Sequence, residues 1–275
     1  MNTKFFCPRW GSENLSWKDF FTKAKNAGYD GIEFGVPRDL PTATLDEIGN
    51  LAVKHDMLLI PQHYDTYEAN YSKHYDLYCE WLEKIKPYKA IKIDSQTGKD
   101  FFNFDQNYSL IKAAEKFTQE TGVAIYHETH RNKFSFASHI TKEYLEKIPS
   151  LQITLDISHW VFVAESFLGD QPEAVNLAIK RTEHLHAMVG YTEGPQVPDP
   201  RINEWQQALQ THLTWWDKIA KRKKKENDVL TITPEFGPFP YMVPLPGSGE
   251  PITNQWDVNV YMMELLRKRY SLKNR

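Results

Sequence analysis

Four short segments of the chain each end an apolar, β-branched run on a carboxylate or an imidazole. VAIYHETH carries Glu128, LQITLDISHW carries Asp156 and His159, EHLHAMVGY carries His186, and LTITPEFGP carries Glu235. These oxygen and nitrogen donors suit a hard or borderline divalent ion. They recur about one βα unit apart, with a longer gap before Glu235, so a ring of parallel strands would gather their ends around one ion. Each residue also has an ordinary reading. Glu128 and Glu235 could sit in ion pairs, Asp156 could cap a helix, and His159 could pack at a helix start. A buried carboxylate without a partner is costly, and the ordered recurrence of all four segments favours a joint role. Glu128, Asp156, His186 and Glu235 together make an oxygen-rich site for one divalent metal ion, Mn²⁺, Mg²⁺, Co²⁺ or Zn²⁺, rather than a thiolate-bound structural zinc. An octahedral ion on these ligands keeps positions for a vicinal hydroxyl–carbonyl pair and acidifies the carbon beside the carbonyl.

The elements that must position these ligands are legible as two alternating textures. Apolar runs at residues 30–36, 57–63, 88–94, 122–128, 151–157, 184–190 and 228–236, with KFFCPRW before them, predict eight strands. Stretches of 3.6-residue periodicity lie between them, from SWKDFFTKAKNAGYD to QWDVNVYMMELLRKRY. Gly28 and Gly122 stand where helices should stop, and Pro172 where one should start. Strand–helix alternation means a parallel sheet covered on both faces. An open doubly wound sheet is the rival, but no GxGxxG follows an early strand and the ligands sit on many strand ends. The expectation is therefore a single (β/α)8 TIM barrel over residues 1–275. Segments 191–201 and 237–253, the second rich in Pro and Gly, read as loops over the barrel mouth. The run KRKKK at 221–225 reads as the solvated end of a helix.

Further strand-end residues extend the candidate site. Glu33 and His63 are expected to look into the mouth, with a supporting hydrogen bond as the plainer reading. Side chains two apart share a face of a strand, so His184, His186 and Met188 point together. His186 lies nearer the mouth, and His184 is expected to be a packed, hydrogen-bonded barrel histidine. His127 should alternate outward. His130 and Arg131 enter the following loop and could contact an anionic or hydroxyl-rich substrate. Trp10 and Trp160 lie just past strand ends and could stack on a sugar ring, or simply pack.

Bulk properties narrow the function classes. A formal charge of −3 gives no general attraction to nucleic acid or to anionic membrane. Two cysteines make no disulfide framework and fit a reducing, cytoplasmic setting. No apolar run reaches the roughly 18 residues of a membrane span, and the first residues carry no secretory h-region. With 41% hydrophobic and 25% charged residues, the chain can bury a core and stay in solution.

YHETH, LDISHW, HLHAMVGY and TPEFGP, in that order, resemble the xylose-isomerase-like barrel family of sugar isomerases and epimerases. That family includes ketose 3-epimerases, hydroxypyruvate isomerases and inosose dehydratases, and is related to the apurinic-site endonucleases. The resemblance spans the chain through its βα pattern. It implies metal ligands at Glu128, Asp156, His186 and Glu235 and a substrate-contacting histidine at His159. It also implies that the two glutamates flank the reacting carbon of a small carbohydrate and pass protons through a cis-enediolate, and it admits a homo-oligomer paired through barrel faces. There are departures. Where ketose epimerases carry an arginine about six residues after the metal histidine, this chain has Thr192, and the nearest arginine is Arg201, the candidate to fold back over the site and contact substrate. Against a three-zinc endonuclease, strand four offers Asp94 instead of histidine, and the loop after strand seven offers Asp199-Pro-Arg201 instead of an Asp-x-His pair. A lyase of the inosose-dehydratase kind shares the first proton removal, and a non-catalytic sugar-binding barrel is the remaining alternative.

Overall fold

In the computed structural model, residues 2–272 are described. Eight parallel strands close into a barrel in chain order. They are β1 (Thr3–Pro8), β2 (Gly31–Gly35), β3 (Leu58–His63), β4 (Ile93–Ser95), β5 (Ile125–Glu128), β6 (Ile153–Leu155), β7 (Thr182–His186) and β8 (Leu230–Thr233). The helices are α1 (Trp17–Asn26), α2 (Thr42–His55), α3 (Tyr71–Ile85), α4 (Phe104–Thr121), α5 (Ser138–Lys147), α6 (Ser158–Val163), α7 (Pro172–Arg181), α8 (Gln206–Glu226) and α9 (Gln255–Leu272). The chain is a (β/α)8 barrel, as its alternation predicts. No helix among the described residues is long and apolar enough to cross a membrane.

Local chemistry sets the helix ends. Ser16 accepts from the Asp19 N–H at the start of α1, and Asn103 and Gln106 cap α4 reciprocally. Pro172 opens α7, where its missing N–H costs nothing. Gly122 closes α4 at φ 74°, a left-handed conformation that side chains disfavour.

Parity along each strand divides the molecule into two environments. Phe5, Ile32, Ile93, Ile153, Leu155, Leu185 and Ile232 face outward and pack under Phe20, Trp81, Leu145, Trp216 and Met262 of the helices. Each such burial is worth about 1.5–3 kcal/mol. The opposite parity faces the barrel axis, and there the chain is polar. The register sets Glu128 beside Thr154, Thr154 beside His184, His184 beside Thr231 and His186 beside Thr233. A column of hydrogen bonds results. Lys92 Nζ donates to Thr231 Oγ1 at 3.0 Å, Thr231 Oγ1 meets His184 Nδ1 at 2.7 Å, and His184 Nε2 meets Glu33 Oε2 at 3.0 Å.

Three sequence expectations change. β4 is only Ile93–Ser95 rather than residues 88–94, and the side chain of Lys92, just before it, reaches across the barrel to Glu183 O and Thr231 Oγ1. LDISHW turns at once into α6. KRKKK does end α8, but Lys223 is buried, paired with Glu183 and with Asp228 at 2.6 Å, so that end is not simply solvated.

Candidate metal centre

Glu128 and Thr233 end β5 and β8, His186 ends β7, and Asp156 and Glu235 follow β6 and β8 within two residues. Closure of the sheet therefore delivers all four candidate ligands to one end of the barrel. One ligand atom from each of Glu128, Asp156, His186 and Glu235 lies within 4.8 Å of the others, and all four residues are buried.

Neighbouring groups fix each side chain. The Ser135 hydroxyl donates to the Glu128 carbonyl. Thr129 Oγ1 accepts from the Asp156 N–H at 2.8 Å and donates to the Asp156 carbonyl at 2.8 Å, tying β5 to β6. Ser158 donates its N–H and hydroxyl to Asp156 Oδ1, at 3.0 and 2.5 Å, which leaves Oδ2 directed elsewhere. His186 Nε2 sits 3.0 Å from Glu33 Oε1. A carboxylate only accepts, so Nε2 carries a proton, and Nδ1 is the nitrogen turned toward the other carboxylates. That Nδ1 lies 2.6 Å from Glu235 Oε2 and 3.5 Å from Glu128 Oε1.

The donor set tests for an ion. His186 Nδ1 and Asp156 Oδ2 are both buried without a hydrogen-bond partner. So close to carboxylate oxygens, Nδ1 needs a positive centre between them, a proton in the metal-free protein or a metal ion in its place. The residues fit a divalent ion, with oxygen donors dominant.

The electrostatics report the same excess of negative charge. Burial raises the Asp156 carboxyl well above the usual range, Ser158 opposes this, and the Glu128 charge adds to it. Burial pushes Glu235 up to about 7; His186 opposes, and Glu128 and Glu33 add to the rise. Burial disfavours a charged His186, yet Glu235 and Glu33 hold it protonated well above the histidine range. Burial also opposes ionisation of Glu33, but His186 and His184 keep it charged, well below the carboxylate range.

The site opens into a cavity of about 570 Å³ lined by Trp10, Gln62, Tyr67, Gln96, Glu128, His130, Lys133, His159, Met188, Glu235 and Tyr241, among others. A larger groove of about 860 Å³ lies along α2 and β3, but its lining is mostly apolar and brings no ligand cluster together. The cavity at the strand ends is therefore where chemistry belongs.

The other candidates separate. His159 lines the cavity, its ring 4.0 Å from that of His130. Trp10 lines it too, edge-on to Tyr241 at 5.0 Å. Glu33 is not in the mouth. β2 runs on to Gly35, so Glu33 lies deeper and holds His184 and His186. His63 is a correction. It faces outward, its Nε2 2.8 Å from Thr66 Oγ1 and its ring against Tyr78 and Trp81 of α3. Parity gives the inward place to Gln62, whose amide reaches Glu128 and Glu235 at 3.5 Å each. Trp160 is a second correction. It is fully buried in α6, its Nε1 donating to Ser135 O at 2.8 Å, and cannot stack on a substrate. Arg131 does not line the cavity; it lies over the Tyr241 and Phe162 rings. Arg201 does not fold back, being held by Asp199 at 2.7 Å and Thr253 at 3.1 Å. His184 is the packed histidine expected, and His127 bonds Thr97 Oγ1 at 2.7 Å, outside the cavity. Sequence reasoning missed Gln62, Gln96, Tyr241 and Lys133. Parity could have found Gln62; the rest come from loops.

Comparison with family models finds no match, and comparison with curated proteins finds none. Solved structures do match. A probable 3-DHS dehydratase, AsbF, involved in petrobactin synthesis in Bacillus anthracis aligns with TM-score 0.60 at 17% identity, over 97% of this chain and 99% of that one. A sugar phosphate isomerase/epimerase from Parabacteroides distasonis aligns at 0.61 and 10%, over 96% and 93%. An AP endonuclease, family 2, from Brucella melitensis aligns at 0.58 and 13%, over 86% and 93%. These neighbours are xylose-isomerase-like barrel enzymes, the group the four motifs resemble, and this chain shares their fold.

Proposed function

We propose that this protein is a divalent-metal-dependent isomerase or epimerase of a small sugar or sugar derivative. The observation that supports it most is the placing of Glu128 and Glu235 about one imidazole nitrogen, His186 Nδ1, at the floor of a sugar-sized cavity. Glu128, Asp156, His186 and Glu235 hold the ion, which when bound acidifies the carbon beside a chelated carbonyl. One glutamate takes the proton from that carbon and the other returns a proton to the opposite face, through a cis-enediolate. The two carboxyls differ in proton affinity. Burial opposes ionisation of Glu128, but the His186 and His130 contacts hold it below the carboxylate range, whereas burial holds Glu235 at about 7. Gln62 bridges the pair and keeps them apart, and His159 and His130, kept neutral by burial, can bond substrate hydroxyls.

A lyase is the second reading, and Tyr241 favours it. Its phenol lines the cavity and is kept protonated by burial, so it can hydrogen-bond a leaving hydroxyl. Arg201, the arginine expected over an epimerase substrate, is engaged by Asp199 instead. The neighbours' own names include an isomerase/epimerase and a probable dehydratase.

Metal-loaded protein incubated in D₂O with ketoses, inososes and 3-keto-glycosides, followed by NMR, separates these readings. Deuterium entering without loss of water supports isomerisation or epimerisation, and an eliminated product supports the lyase. No exchange with any of them, together with nicking of abasic DNA, would remove both in favour of an endonuclease.

A further inference from the structure

The wall of the cavity carries a buried lysine, Lys133, and a second, Lys99, lies behind it at the same tyrosine ring, neither with a carboxylate partner among the described residues. Lys133, in the loop after β5, is 2% exposed, lines the cavity, and its Nζ is buried without a hydrogen-bond partner. Lys99, in the loop after β4, is 4% exposed. Tyr67, from the loop after β3, offers its ring to both, with Lys133 Nζ 5.6 Å and Lys99 Nζ 5.5 Å from the centroid. Among the described residues, no carboxylate lies within ion-pair distance of either ammonium. Their acidic neighbours Glu128, Asp65 and Asp100 act only at longer range.

The arrangement is built rather than frayed. Asn107 clamps Lys99 by accepting its N–H at 3.2 Å and donating to its carbonyl at 3.0 Å. The Lys133 N–H bonds His130 O, and the next N–H, of Phe134, bonds Thr97 O, so the two lysine loops are tied together. A buried ammonium is costly without an anion, and two close together repel. The ring face of Tyr67 offsets only part of that cost. Lys223, buried in the same protein, has Glu183 and Asp228 as partners.

We propose that Lys133, with Lys99 at the same Tyr67 ring, receives an anionic group of the substrate, a carboxylate or a phosphate monoester, while the reacting carbons lie over the metal ligands. The substrate class is then an acidic sugar rather than a neutral one. Gln96, Asn132 and His130 line the path between the two ends. This rests on the reaction proposed above, but its test does not need turnover.

Inorganic phosphate and acetate serve as separate probes in calorimetric titrations of metal-loaded wild type, Lys133→Met, Lys133→Arg and Lys99→Met. Wild type should bind at least one of them, and the tighter one names the source of the anion. Lys133→Met should weaken that binding by about tenfold or more, Lys99→Met by less, and Lys133→Arg should keep most of it. Amine-selective labelling of wild type, read by peptide mass spectrometry, needs no variant to fold: the bound anion should slow labelling of Lys133 severalfold. The subsite is wrong if neither anion binds, or if binding survives in a folded Lys133→Met and labelling is unprotected. Anion binding that depends on Lys133 in a protein that exchanges no sugar would leave the subsite standing and remove the reaction instead. Where a sugar does exchange, the preference of kcat/KM for its acidic over its neutral form should fall by about tenfold in Lys133→Met.

Discussion

Two buried charged clusters in this barrel differ in one respect. Where α8 ends against β7, Lys223 and Arg222 meet Glu183, Asp228 and Glu226, so that each charge has a partner. At the strand ends, Glu128, Asp156 and Glu235 share one imidazole, and Asp156 Oδ2 and His186 Nδ1 have no hydrogen bond. The first cluster is complete without a ligand. The second is a set of donors that a cation would complete. Burial alone does not mark a functional site; burial without compensation does.

The comparison breaks most visibly if chemistry is insensitive to the mouth. Glu128→Gln and Glu235→Gln should each slow deuterium exchange by about 10²–10⁴-fold in metal-loaded protein, as read by NMR on the substrate found in the panel. If both variants stay fully active, the two-glutamate mechanism is wrong. Stability should show the reverse order. Lys223→Met leaves Glu183 with Arg222 as its one remaining cation and should cost about 1.5–3 kcal/mol in urea unfolding. Asp156→Asn keeps an oxygen for the Ser158 bonds, replaces a carboxyl that burial already favours in its protonated form, and should change metal-free stability by no more than about 1 kcal/mol. Added metal should raise the Tm of wild type and leave Asp156→Asn unmoved. An Asp156→Asn protein as destabilised as Lys223→Met would make the mouth a second structural cluster. Glu33→Gln should act more gently. It weakens the hydrogen bond that sets the His186 tautomer and should lower metal affinity by about 10–100-fold, measured by competition with a chelating dye.

The same contrast explains which residues were legible in the sequence. Glu128, Asp156, His186 and Glu235 each terminate a β-branched run, and barrel closure turns that one-dimensional regularity into a cluster. Strand parity, read one residue off, put His63 in the mouth where Gln62 belongs. Trp160 looked accessible because LDISHW ends a strand, but the chain enters α6 at once and turns the indole into the core. Lys223 sat in a charge run whose periodic partner, Glu183, lies on a different strand, so no local pattern disclosed its burial. Tyr241 and Lys133 come from loops, where no repeat constrains side-chain direction and only tertiary contact decides.

The smallest effect sharpens the comparison by protons. Burial, reinforced by Glu128 and Glu33 against the opposing pull of His186, lifts Glu235 from the ordinary glutamate value to about 7. Below that pH the metal-free folded protein holds a proton on Glu235 that an incoming ion must displace. Metal affinity should therefore climb with pH through about 7, where Glu235 gives up its proton, while His186 and Asp156 add their own proton release. Titrations in two buffers of different ionisation enthalpy should show more proton release at about pH 6 than at about pH 8, the difference being the share of Glu235. The stability sign follows from the same shift. A carboxyl whose folded pKa is raised binds its proton more tightly folded than unfolded, so its contribution is fully present below the ordinary glutamate range. That contribution is lost as pH rises through about 7, and Glu235→Gln should remove this slope from metal-free unfolding curves. If the variant keeps both the slope and that difference in proton release, Glu235 is not the group that the ion displaces, and the excess charge of the mouth resides on its neighbours.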